Sequence, residues 1–144
     1  MPRPCVDFRN EALWRHSERY RRERVLLELR CVVANAHKGG DERLVAWAEA
    51  EGRAVWVDRT RGSPINLGGW GNPFIEGRDG DRIQVCEKFE QLLRGNREWL
   101  DRIPELHGGK VLISWCHPQR CHGDLLARLA NEGLSVPWPR MTAD

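Results

Sequence analysis

Apolar residues recur at helical spacing in some stretches of this chain and run unbroken in others, and the alternation between the two predicts its elements. In "EALWRHSERYRRER", Leu13, Trp14 and Tyr20 fall near one face of a helix, with Asn10 placed to cap it. The run "VLLELRCVVANAHK" reads two ways: it either extends that helix or becomes a strand around Cys31–Ala36, which the β-branched pair Val32–Val33 favours. "GGDERLVAWAEAEG" predicts a short helix with Asp41 as N-cap, Leu44, Val45 and Ala48 as its buried stripe and Gly52 as its stop.

"RAVWVDR" reads as a buried strand ending at Asp58–Arg59. The Gly/Pro-rich connection "TRGSPINLGGWGNPFIEGRDGD" has neither period, yet Ile65, Leu67, Trp70 and Phe74 give it something to bury, so it is expected to fold over a site. Asp81 can cap the next helix, with Ile83, Cys86, Phe89, Leu92 and Leu93 on one face and Gly95 at its end. Asn96 can cap a shorter one, "REWLDRI", stopped near Pro104. "KVLISW" is then a strand, "CHPQRCHG" a turn and "DLLARLAN" a helix ended by Gly133.

Strands that alternate with helices imply an α/β fold: a small, mainly parallel sheet flanked by helices, Rossmann-like in two or three layers, with an extra N-terminal helix. Residues 1–30 form a basic helical extension, 31–136 a single α/β domain and 137–144 a tail. Ligands on such sheets sit at the C-terminal ends of strands. The loops after Arg59 and after Trp115 both leave such ends.

At 144 residues the chain has room for one core. No run approaches the roughly 18 apolar residues of a membrane span, and the N-terminus lacks the apolar segment of a secretory signal, so a cytoplasmic protein without membrane attachment is expected. Five cysteines, an odd number, argue for reduced thiols over a disulfide framework. A net charge of +2 does not announce a nucleic-acid binder. The run Arg19 to Arg24 is either a nucleic-acid patch or a solvated face interrupted by Glu18 and Glu23.

The chemistry concentrates in "WCHPQRCHGD", Trp115 to Asp124. Cys116 and Cys121 have four residues between them, a zinc-ligand spacing, and His122 or His117 could add imidazole. Alternatively, Cys121 at a helix N-terminus would have its thiolate stabilised, with His122 and His117 as proton acceptors. The same N–H groups could hold a phosphate, with Asp124 capping them or orienting His122. The blandest reading makes both cysteines small buried residues and Asp124 a plain cap. In "GGWGNPF", Asn72 offers a donor and an acceptor, and Trp70 or Phe74 could stack on a planar ring or merely pin the loop to the core.

Together, "VVANAHK", "VWVDR", "WGNPF", "GRDGDR" and "WCHPQRCHGDLLARLAN" resemble an uncharacterised bacterial and phage family, domain-of-unknown-function family 4326, from about Cys31 to Asn131. The resemblance carries over to Arg59 at the end of the second strand, to Trp70, Gly71, Asn72, Pro73 and Phe74, and to Gly109 and Lys110. It also covers Trp115, Cys116, Pro118, Cys121, His122, Gly123 and Asp124. It departs at the inserted segment Asp41–Gly52 and at the basic N-terminus. The family implies no activity.

The expected function is a small-molecule-binding α/β domain, an enzyme of the hydrolase or transferase kind acting on a nucleotide-like or phosphorylated substrate. Cys116, Cys121, His122 and Asp124 would supply the chemistry, and Arg59, Trp70, Asn72, Phe74 and Trp115 would bind the substrate. The alternative is a module in which Cys116, Cys121 and His122 hold zinc and the basic N-terminal helix contacts nucleic acid.

Overall fold

The computed structural model describes residues 17–58, 62, 69–115 and 122–133. The chain after Ser17 forms helix α1 (Glu18–Glu28), begun by the Ser17 hydroxyl accepting the Tyr20 N–H at 3.1 Å. The expected Asn10 cap lies outside the described residues. Helix and strand share the run that sequence left open. Leu29 adopts the left-handed conformation (φ 54°) and ends α1, and Val32–Asn35 then form β1.

Next come α2 (Glu42–Ala50), β2 (Ala54–Trp56), α3 (Arg82–Arg94), α4 (Arg97–Leu100), a 3-10 turn (Ile103–Leu106), β3 (Val111–Ser114) and α5 (His122–Glu132). Asp81 and Gln84 close a reciprocal capping box on α3, as its sequence suggests. The expected face of α3 also takes in Val85, which is buried with Cys86, Phe89 and Leu93. Pro104 sits inside the 3-10 turn, which needs no N–H from it, so the chain carries on past the expected stop.

The expected α/β architecture is present. The sheet runs β1-β3-β2, all parallel, with Val33 opposite Leu112 and Val55 opposite Leu112 from the other side. Central β3 is buried along its length, which is why it reads as a continuous apolar run. Alternate residues face opposite layers: Val33, Leu112 and Val55 join α3, α4 and α5, whereas Ala34, Val111 and Ile113 join α1 and α2. The result is three layers, with the sheet in the middle.

Two attachments bind the ends of this body together. The Cys31 N–H donates to Asn131 Oδ1 at 2.7 Å, and Asn131 Nδ2 donates back to the Cys31 carbonyl at 2.9 Å, so α5 closes onto the start of β1. Fully buried Val25 of α1 packs over the sheet, and its carbonyl lies so near Gly109 that a Cβ there would come within 2.9 Å of it. Gly109 also has φ 84°, so both backbone shape and close approach demand glycine.

Asp41 precedes α2, as expected, but its side chain makes no capping bond there. Arg21 draws the carboxylate away with bonds of 2.6 and 2.8 Å, and the Asn35 N–H donates to it at 2.7 Å. The cap is supplied from another helix: Glu18 Oε2 accepts the Leu44 N–H at 2.5 Å. A charged partner offers the carboxylate more than its own helix N–H does.

Candidate site at the C-terminal edge of the sheet

β2 and β3 both end at one edge, and the loops that leave them meet at their first residues. Trp115, next after β3, donates its indole N–H to Asp58 Oδ2 at 3.3 Å, two residues past β2. Asp58 is buried, whereas Trp115 is 45% exposed, so the contact holds a surface ring in a fixed orientation. Trp56 lies tilted 6.3 Å from the Trp115 ring, and His37, from the loop after β1, stands edge-on to it at 5.0 Å.

The far end of the Cys–His turn is pinned to the same edge. His122 opens α5, and its buried Nε2 lies 2.5 Å from the Val57 carbonyl oxygen, directly before Asp58. A carbonyl only accepts, so Nε2 is the donor of that bond. Phe89 of α3 packs edge-on against the imidazole at 5.0 Å. Asp124 lies in the first turn of α5 and is exposed, where a carboxylate favours the positive end of the helix dipole. Arg59, Cys116 and Cys121 lie outside the described residues. Among the described residues no three His, Cys, Asp or Glu side chains gather as a metal set.

The W-G-N-P-F segment docks through different partners. Trp70 is buried, edge-on to Trp99 of α4 at 4.9 Å, and the Arg102 guanidinium covers both rings at 5.2 and 4.2 Å. The fork of Arg102 on Glu105 holds that carboxyl below its usual range, the hydrogen bond being the main cause. Asn72 uses both ends of its amide within the chain: Nδ2 donates to the Val85 carbonyl and Oδ1 accepts the Phe74 N–H, each at 3.0 Å. Phe74 is half-buried, with Lys88 Nζ 5.9 Å from its ring centre.

Beyond Phe74 the Asp79 carboxylate fastens the segment, accepting from Arg78 and from the Ile75 N–H; these bonds, led by Arg78, lower its pKa. The W-G-N-P-F segment connects to the sheet edge through α3. Asn72 binds that helix at Val85, and Phe89, one turn on, touches His122.

Of the residues expected at the site, Trp115 and His122 bond to the adjacent Asp58 and Val57 and Asp124 lies in the first turn of α5, whereas Trp70 packs on Trp99 and Asn72 bonds to Val85 and Phe74. Sequence reasoning assigned no role to Asp58 or His37. Their positions just past buried strands, at the edge where ligands of parallel sheets bind, were the available signal.

The family comparison fits this geometry. The model of the family described as Domain of unknown function (DUF4326) matches residues 42–132. The chain belongs to this family. The match spans both loops and the whole edge from Asp58 to Asp124, and begins just after Asp41. No curated protein and no solved structure matches the chain.

Proposed function

We propose that the protein binds a nucleotide-like or other phosphorylated small molecule at the C-terminal edge of its sheet and acts on it as a hydrolase or group-transfer enzyme. The observation that carries this is the Asp58–Trp115 pair, an exposed indole held by a buried carboxylate, with the buried His122 imidazole bonded to the Val57 carbonyl directly before Asp58. Preformed aromatic and polar groups at this edge are what a small-molecule site needs. In this reading Cys121, with His122 orienting the turn and Asp124 at its mouth, supplies nucleophile or acid–base chemistry. Cys116 belongs to the same turn, and Arg59 follows Asp58 as an anion partner.

The zinc-stabilised nucleic-acid module has less behind it. Arg19 pairs with Glu23, Arg21 with Asp41 and Arg24 with Glu28, so three of the four arginines in the basic run serve ion pairs. His122 commits Nε2 to the Val57 carbonyl. No helix among the described residues is long and apolar enough to cross a membrane.

The test is turnover of a panel of nucleoside phosphates and sugar phosphates by the purified chain, followed by phosphorus and proton NMR. At least one should be converted, and Cys121→Ser or Asp124→Asn should abolish conversion while leaving the melting temperature near that of the parent. Neither conversion nor binding of any panel member would reject the reading.

A further inference from the structure

Helix α5 ends on the wall of an apolar groove, and the sequence that follows it carries an apolar stripe. Gly133, at φ 95°, stops the helix with its N–H donated to the Leu129 carbonyl at 2.9 Å. Gly133 and Leu129 both line a groove of about 280 Å³ where α5 packs on the 3-10 turn, and its other apolar walls are Leu100, Ile103 and Pro104. Asn131, two residues before Gly133, bonds to Cys31 at the start of β1, so the groove lies at the opposite edge of the sheet from Trp115 and His122.

The groove continues the core outward. Ile103 and Leu129 are buried members of the cluster that α3, α4 and α5 share, Leu100 packs against that cluster half-buried, and Pro104 is exposed. A floor of core side chains with an apolar rim gains by being covered.

Beyond Gly133, outside the described residues, the sequence reads "LSVPWPRMTAD". Pro137 and Pro139 disfavour helical backbone at the residues before them, Val136 and Trp138, and favour an extended one. Alternate side chains of an extended chain share a face, so Leu134, Val136 and Trp138 make one apolar stripe, with no charge before Arg140. At about 3.3 Å per residue the stripe reaches roughly 16 Å from Gly133. The groove begins at Gly133 itself, so no linker has to be crossed.

We infer that residues 134–138 fold back over this groove as an intramolecular cover, with Leu134 beside Leu129 and Trp138 against the far wall at Leu100. Direct attachment at the groove's edge gives this segment a local concentration that a second copy of the chain does not reach. The occupant is therefore the chain's own continuation. The inference is independent of the ligand proposed above.

The experiment uses the full chain and compares the parent with Trp138→Ala, Leu100→Ala and the double variant by thermal unfolding. It also reads Trp138 directly in 5-fluorotryptophan-labelled protein, the fluorine resonance being assigned by its loss in Trp138→Phe. Each single variant should lower the melting temperature by several degrees, and the double variant by clearly less than the two shifts together, because either change removes the same contact. The Trp138 resonance should lie away from its position in urea-unfolded chain and move towards that position in Leu100→Ala. Additive shifts, an unchanged melting temperature in Trp138→Ala, or a Trp138 resonance at its unfolded position would overturn the inference. A parent chain that sediments as a dimer, with a Trp138→Ala loss that grows with protein concentration, would also overturn it, by giving the groove to a second copy.

Discussion

Arg21 and Asp41 form a two-pronged ion pair inside the protein, with N–O distances of 2.6 and 2.8 Å, that ties α1 to the turn before α2. Arg21 also donates to the Val33 carbonyl at 2.7 Å, and Asp41 accepts the Asn35 N–H, so the pair is embedded in the backbone at the end of β1. A helix that looks like a basic appendage is therefore part of how the sheet edge is held.

Arg21→Met should cost about 3–5 kcal/mol, because it leaves the Asp41 carboxylate buried without its cation. Arg21→Met combined with Asp41→Leu should recover part of that loss and no more, since the Asn35 N–H then loses its acceptor. Urea unfolding of the two variants measures this; a loss under about 1 kcal/mol for Arg21→Met would show that the pair contributes little.

Leu29 is the one described non-glycine residue at positive φ, and its side chain is more than half exposed. Its conformation is strained for a branched side chain, and there is little burial to lose on removing it. Leu29→Gly should raise stability by about 0.5–1 kcal/mol, read as a higher melting temperature. An unchanged or lower value would mean that exposed Leu29 packs better than its accessibility suggests.

These two cases show what could be read from the chain and what could not. The periods of "KVLISW", "RAVWVDR" and the Asp81 helix name their elements because local apolar spacing and caps determine them. The fate of Asp41 was illegible because its partner, Arg21, lies twenty residues away and competes with the local cap. Asn72 illustrates the same limit in the candidate site. An amide in a Gly-rich loop looks free for a ligand until the fold brings the Val85 carbonyl to it. Trp115 and His122 were legible because a strand end and a helix start bracket them in sequence.

Burial pushes the Cys31 thiol from its usual 9.0 up to about 12, with nearby Arg30 acting weakly the other way. The folded thiol stays neutral where the unfolded one ionises, so its contribution is complete below pH 9.0 and is lost as pH rises towards about 12. Chemical denaturation between pH 8 and 11 should therefore show a steeper alkaline loss for the parent than for Cys31→Ala, although the variant is less stable at neutral pH. Parallel curves would mean that Cys31 reaches water before global unfolding.

Elemental analysis of freshly purified chain, beside a Cys116→Ala/Cys121→Ala variant, decides between thiol chemistry and zinc at the turn. The catalytic reading expects metal-free, folded protein whose Cys121 reacts with a thiol reagent faster than buried Cys31 and Cys86 do. Zinc near one equivalent in the parent and absent from the variant would instead make the turn a metal site.

The final prediction concerns His122, whose buried ring does two separable things. It donates to the Val57 carbonyl, and it packs against Phe89. His122→Phe keeps a ring beside Phe89 and leaves the carbonyl without its donor, which should cost about 1–3 kcal/mol. His122→Ala loses the packing as well and should cost distinctly more. If His122 acts by anchoring the turn, both variants should impair ligand conversion in proportion to their loss of stability, with the pH profile of the remaining activity unchanged. If the imidazole itself takes part in proton transfer, His122→Phe should abolish conversion at every pH while retaining most of the binding affinity. Unfolding curves and a pH–rate profile on the same preparations separate the two roles.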